Sequence, residues 1–200
     1  MNFQSKITVI LSLFLTTAIA SKGLSQDGEI HALLVGVTKY TNLTNAQQLD
    51  GPINDVKLVR ETLIERYESV KGELKKRIVM LHEGQPDELK PTYANIAREF
   101  VAIADRVSDG DQVFILLSGH GSQDLDDADD SSDDYEADGL DEVFLPSDVK
   151  GWNEKKHMVE GAIRDDQMNE WLNAIQAKGA TVVFVSDLSL IHISEPTRPY

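Results

Sequence analysis

The residues of this 200-residue chain best placed for chemistry are few. Asp55 sits in Gly51-Pro52-Ile53-Asn54-Asp55, His120 sits between two glycines, and Asp187 follows a run of β-branched residues. The segment Ser118-Gly119-His120-Gly121-Ser122 sets an imidazole among residues that permit tight turning and close backbone approach, with amide N–H groups free beside it. An imidazole so placed can act as a general base or acid, and the Gly121 N–H can meet a developing oxyanion. Alone, a GHG triplet reads as a structural histidine in a tight turn, and Asp55 alone as an acidic residue complementing a helix N-terminus. Two carboxylates lining one crevice, however, select a guanidinium or ammonium group. The chain contains no cysteine, which excludes a disulfide, a thiolate metal site and a thiol nucleophile in the sequence as written.

Charge narrows the partners. Against 19 Lys and Arg stand 34 Asp and Glu, a net charge of -15. Nucleic acid and anionic membranes both require a basic surface and are excluded, whereas a metal ion or a Lys/Arg-bearing substrate fits. From Asp124 to Glu142 the chain reads DLDDADDSSDDYEADGLDE, nine Asp and two Glu with no base. That segment alone carries -11 of the total. Calcium takes roughly six to eight oxygen ligands, and Asp124 to Asp134 offer many carboxylates within a few residues. The stretch reads equally as a Ca2+ loop or as a solvated acidic loop, and EF-hand spacing is absent.

The elements that must position these residues follow from periodicity. His31 to Val37 is a nearly continuous apolar run, as expected of a strand buried on both faces. Pro52 opens a helix with Ile53, Val56, Val59, Leu63 and Tyr67 on one face. Arg77 to His82 is a second strand. Pro91 opens a second helix, with Tyr93, Ile96, Phe100, Ile103 and Val107 in one stripe. Gln112 to Leu117 is a third strand, and Val143-Phe144-Leu145-Pro146 a short apolar piece. Asp165 or Asp166 caps a helix burying Met168, Trp171, Leu172 and Ile175, and Thr181 to Val185 is a fourth strand. Strands separated by helices imply a mostly parallel sheet covered on both faces, with chemistry beyond the strands' carboxyl ends.

At the N-terminus, Lys6, an apolar run from Ile7 to Ala20 and the small residues Ala18 and Ala20 describe a secretory signal peptide over residues 1–20, followed by a polar lead-in over 21–30. The expectation is export to the periplasm or beyond, where calcium is plentiful, with no membrane association after cleavage.

The pieces HALLVGVTKY, GPINDVKLVRETL, VFILLSGHGSQ, DGLDEVFLPSD and VVFVSD, in that order, resemble a caspase-like cysteine peptidase of the metacaspase type (peptidase C14), over about His31 to Asp187. The resemblance implies an α/β fold, the caspase-like (caspase-hemoglobinase) three-layer sandwich with a mostly parallel sheet, incomplete at the C-terminus. It implies a calcium-dependent cysteine endopeptidase with a Cys-His dyad, no organic cofactor, a monomeric state, and peptide or protein substrates bearing Arg or Lys at P1. His120 becomes the catalytic base, and the Gly121 N–H part of the oxyanion hole. Asp55, Ser118 and Asp187 become the pocket for the basic side chain. Asp138, Asp141 and Glu142, in Asp138-Gly139-Leu140-Asp141-Glu142, match the family and take a fixed structural or metal role.

One departure stands out. Where the family continues D-x-C-H-S-G, this chain continues Asp187-Leu188-Ser189-Leu190-Ile191-His192, so Ser189 stands at the cysteine position. A hydroxyl is a far weaker nucleophile than a thiolate without a dedicated activating site. The expectation is a peptidase domain over 31–187, cut just before its nucleophile, a non-native read-through tail over 188–200, and no activity as written. The alternative is a noncatalytic acidic module that captures calcium or cationic peptides. A serine hydrolase using Ser189 is disfavoured because no nucleophile elbow surrounds it.

Overall fold

The structure, a computed structural model, describes residues 28–67, 71–125, 140–156 and 158–191. The chain runs β1 (Ile30–Gly36), α1 (Pro52–Arg66), α2 (Lys71–Arg77), β2 (Ile78–Leu81), α3 (Tyr93–Arg106), β3 (Gln112–Leu125) and β4 (Leu140–Phe144). A hairpin of β5 (Gly151–Asn153) and β6 (Met158–Glu160) precedes β7 (Ile163–Arg164), α4 (Asp165–Gln176) and β8 (Thr181–Leu190). The main sheet is ordered β2-β1-β3-β4-β7, with β8 also paired to β3. The β1–β2, β1–β3 and β3–β8 pairs are parallel, while β3–β4 and β4–β7 are antiparallel.

All seven residues of β1 are buried, because helices cover both faces of the sheet. On one face Val56 and Leu63 of α1 and Leu74 of α2 cluster with Ala32, Leu34, Phe114 and Leu116. On the other, Ile96, Phe100 and Ile103 of α3 and Met168 and Ile175 of α4 cluster with Leu33, Val35, Val113, Ile115 and Leu117. Each such side chain contributes about 1.5–3 kcal/mol by leaving water. The Phe100 and Trp171 rings stack at 4.8 Å and join α3 to α4. The result is the expected three-layer α/β sandwich around a mostly parallel sheet.

Several expected boundaries are corrected. β3 does not end at Leu117 but runs through the glycines to Leu125, because its far half pairs with both β4 and β8. Gly119 and Gly121 therefore sit in extended strand, not in a tight turn. They are needed for space: a Cβ on Gly119 would lie 2.9 Å from the Tyr40 hydroxyl, and one on Gly121 would lie 3.1 Å from Leu188 and Leu190. β8 likewise continues past Val185 to Leu190. The second long helix starts at Tyr93, capped by Thr92, whose side chain accepts the Asn95 N–H at 3.3 Å. In α4, Arg164 is the cap position, and Asp165 and Asp166 occupy the first turn. The short helix α2 and the β5–β6 hairpin are additions to what periodicity predicts. The signal segment 1–20 and most of the lead-in lie outside the described residues, as do the end of the tail from 192 and positions 126–139, including Asp138. No helix among the described residues is long and apolar enough to cross a membrane.

Candidate active site

Alternation along the strands collects the polar residues. Successive strand residues point to opposite faces, and Phe114 and Leu116 lie on the α1 side; Ser118 and His120 therefore follow them there. The parallel register sets Ser118 beside Asp187 and His120 beside Ser189, so β8 adds those two positions on the same face. Asp55 arrives from α1. The end of β1 admits the helix at close range because residue 36 is glycine; a Cβ there would lie 2.6 Å from the Pro52 carbonyl oxygen. The Ser118 hydroxyl donates to Asp55 Oδ2 at 3.0 Å. Burial first, and then the Asp55 carboxylate, raise the Asp187 carboxyl above its ordinary value. Asp55, Ser118 and Asp187 thus form one acidic corner at the carboxyl end of the sheet.

His120 lies next to that corner and is only 3% exposed. Its Nε2 is 2.9 Å from the Gln47 carbonyl oxygen and its Nδ1 is 2.9 Å from the Ser189 carbonyl oxygen. A carbonyl only accepts, so both contacts are hydrogen bonds together only when both ring nitrogens carry a proton. The backbone N–H of His120 donates to the Tyr40 hydroxyl at 2.7 Å, and the two rings lie 5.1 Å apart. Burial drives the Tyr40 phenol far above its usual range, so it stays neutral and can accept that bond.

Gly121 lies in strand rather than in a tight turn: it stands opposite Leu190 in the β3–β8 ladder, and its carbonyl accepts the Ile191 N–H at 2.9 Å, because β8 extends to Leu190. Of the acidic metal candidates, Asp124 and Asp141 are register partners at the start of the β3–β4 hairpin, and Glu142 is exposed opposite Gln123. The rest of Asp124 to Asp134 beyond Leu125, and Asp138, lie outside the described residues. Among the described residues, no three His, Asp or Glu side chains come together as a metal-binding group.

Sequence reasoning misses the groups that hold the imidazole. Tyr40 and Gln47 lie in a loop with no periodicity, and Gln47 contributes a backbone carbonyl, which no residue type advertises. Only the position of that loop, directly after β1 and beside the GHG segment in the sheet, could point to it.

Comparison with known proteins bears on the same stretch. The Metacaspase, peptidase C14 domain family matches residues 31–190. Metacaspase-1 of Plasmodium falciparum is 30% identical over 158 residues, covering 78% of this chain and 23% of that protein. Metacaspase-2 of Arabidopsis thaliana is 32% identical over 143 residues, 71% of this chain and 29% of that protein. Metacaspase-1 of Schizosaccharomyces pombe is 32% identical over 143 residues, 72% of this chain and 29% of that protein. The chain thus spans less than a third of the length of these relatives. The fold is also that of protein GSU0716 from Geobacter sulfurreducens, whose crystal structure superposes with a TM-score of 0.54 at 21% identity over 78% of this chain and 48% of that one. The matched stretch contains both strands that carry Ser118, His120 and Asp187 and the helix that carries Asp55, and on that match the chain belongs to the metacaspase, peptidase C14 domain family.

Proposed function

We propose that this chain is part of a calcium-dependent cysteine endopeptidase that cleaves after Arg or Lys, with His120 as its proton-transfer group. The observation that carries the reading is the convergence of Asp55, Ser118 and Asp187 beside His120 on one face of the sheet. Two half-buried carboxylates in one corner repel each other, and a guanidinium or ammonium relieves that repulsion while an acidic side chain worsens it. Position 189 neighbours His120 across the parallel pair. A cysteine there would pass its thiol proton to the imidazole and attack the scissile carbonyl carbon, and the protonated imidazole would then return that proton to the leaving amine. Ser189 supplies no thiol, and its carbonyl lies on Nδ1, so the chain as written is inactive.

Calcium enters through the acidic hairpin. The register sets two aspartate positions, 124 and 141, directly opposite each other, an arrangement that costs stability without a cation. Asp124, Asp141 and Glu142, with the aspartates between them in sequence, are the oxygen donors that would hold Ca2+. Export by the segment 1–20, to the periplasm or beyond, belongs to the same reading.

The test is an independent nucleotide read past codon 187 and expression of the full-length protein that it encodes. Hydrolysis of Arg- and Lys-containing fluorogenic peptides but not Asp-containing ones, lost with chelator and with Asp187→Asn, is the expected result. Preference for Asp at P1 would sink the pocket assignment, and unchanged activity in chelator the calcium assignment. The absent cysteine favours a second reading, an acidic module that captures cationic peptides without cutting them. Calorimetric binding of an Arg peptide, weakened by Asp55→Asn and with no cleavage by the full-length protein, would select it.

A further inference from the structure

We infer that Gln48 is a positioning residue for His120, acting through the loop that joins β1 to α1. The inference rests on reading His120 as the proton-transfer group of the site. Gln48 Oε1 accepts the Tyr40 N–H at 2.7 Å, while Nε2 lies 3.2 Å from the Tyr40 carbonyl, 3.1 Å from that of Thr44 and 3.4 Å from that of Leu43. The carboxamide thus acts as a peptide unit inserted across the loop, giving and accepting at once. What it ties together are the two groups that grip His120 from this side. Tyr40 is bonded directly, and its hydroxyl accepts the His120 N–H at 2.7 Å. Gln47 is the adjacent residue, and its carbonyl sits 2.9 Å from Nε2. Other bonds fasten the loop to the body, among them Leu49 N–H to the Thr38 carbonyl at 2.9 Å and Asn42 Nδ2 to the Val149 carbonyl at 2.9 Å. Gln48 differs from these in linking Tyr40 to the turn that presents the Gln47 carbonyl. By holding that carbonyl on Nε2, Gln48 favours a proton there over one on Nδ1, which the Ser189 carbonyl draws from the other side.

The inference is tested on the full chain labelled with 15N at histidine, with the His120 ring signals assigned by their loss in His120→Asn. In the wild type, Nε2 carries the proton and exchanges slowly with solvent. In Gln48→Ala, Nε2–H exchange rises about tenfold, as for loss of one hydrogen bond's net strength, and the ring nitrogen shifts move toward tautomer averaging. Gln48→Glu, which sets a carboxylate oxygen against the Tyr40, Leu43 and Thr44 carbonyls, moves the ring signals at least as far. Asn42→Ala loosens an outer anchor and lowers the urea midpoint without moving the ring signals. Unchanged ring signals in either folded Gln48 variant, an equal shift in Asn42→Ala, or a wild-type ring with an unprotonated Nε2 would overturn the inference; the last applies even if both Gln48 variants fail to fold. Failure of the underlying reading is separable: a full-length, cysteine-bearing enzyme that stays active with His120→Ala removes His120 from the chemistry and leaves the ring measurements standing.

Discussion

At the amino edge of the sheet His31 lies buried between Asp111 and Glu29, its Nε2 3.7 Å and 3.8 Å from their carboxylates. At the carboxyl edge His120 lies buried beside Asp55, Ser118 and Asp187. The residue types are the same, and what surrounds them is not. Asp111 accepts the backbone N–H groups of Glu29 at 2.7 Å and Ser108 at 2.8 Å, while Arg77 pairs with Glu29 at 2.7 Å. Backbone closes on this edge so tightly that a Cβ on Gly28 would lie 2.1 Å from the Gly110 carbonyl oxygen. Among the described residues neither Asp55 nor Asp187 has an ion-pair partner; Asp55 accepts the Ser118 hydroxyl, and Asp187 is raised by burial and then by Asp55. Acids whose partners lie within the fold stabilise the fold; acids set beside each other without such a partner oppose it.

That contrast sets the expected results. The largest effect belongs to the closed edge. Asp111→Ala leaves two part-buried N–H groups without their acceptor and should cost about 3 kcal/mol, read as a fall in urea midpoint; a loss under about 1 kcal/mol would mean water replaces the carboxylate. Next, Gly36→Ala drives a methyl toward the Pro52 backbone oxygen and should cost about 2 kcal/mol. Its Ser118–Asp55 bond should also loosen, which a crystal structure or cross-bond NMR coupling would reveal.

The third effect is a pH dependence. Burial lowers the His31 value, against the opposing pull of Asp111, and burial also lowers that of His82. A histidine with a folded value below its unfolded one favours the neutral form in the native state, so its stabilisation is present above the unfolded value, about 6.5, and is lost as pH falls below it. Urea midpoints at pH 7.5 and 5.5 should show this fall in the wild type and a shallower one in His31→Leu. The smallest change has the opposite sign. The Asp187 value is raised in the fold, so its ionised form opposes folding at neutral pH, and that opposition disappears as pH drops below the ordinary aspartate range. Asp187→Asn should therefore raise stability at pH 7 by on the order of 0.5 kcal/mol, kept small by solvent screening, and by nothing near pH 3. A loss at pH 7 would show that Asp187 is paired within the fold and would erase the distinction between the two edges.

Much of the fold is legible in the residues alone. Apolar runs mark β1, β2 and β8, and helical stripes mark α1, α3 and α4, because burial on one or both faces leaves a periodic trace. Strand ends are legible only in part: the apolar pattern makes β3 and β8 too short, since pairing across strands continues where that pattern stops. The glycines around His120 have the composition of a turn, although their purpose is clearance beside Tyr40, Leu188 and Leu190. Gln48 leaves no trace at all, since a single carboxamide that bonds four backbone groups within eight residues of itself has no spacing to detect.

The sequence by itself determined the layered α/β class, the concentration of acid between Asp124 and Glu142, the absence of any thiol, and the candidates Asp55, His120 and Asp187, because these depend on residue type and on short-range period. Tertiary structure alone decided that Ser118 donates to Asp55, that position 189 stands beside His120, that β8 occupies the Gly121 backbone, and that a loop carbonyl meets Nε2. Those relations join residues separated by 63, 69 and 73 positions, and only strand register and helix docking, summed over the whole sheet, bring such distant residues within bonding distance.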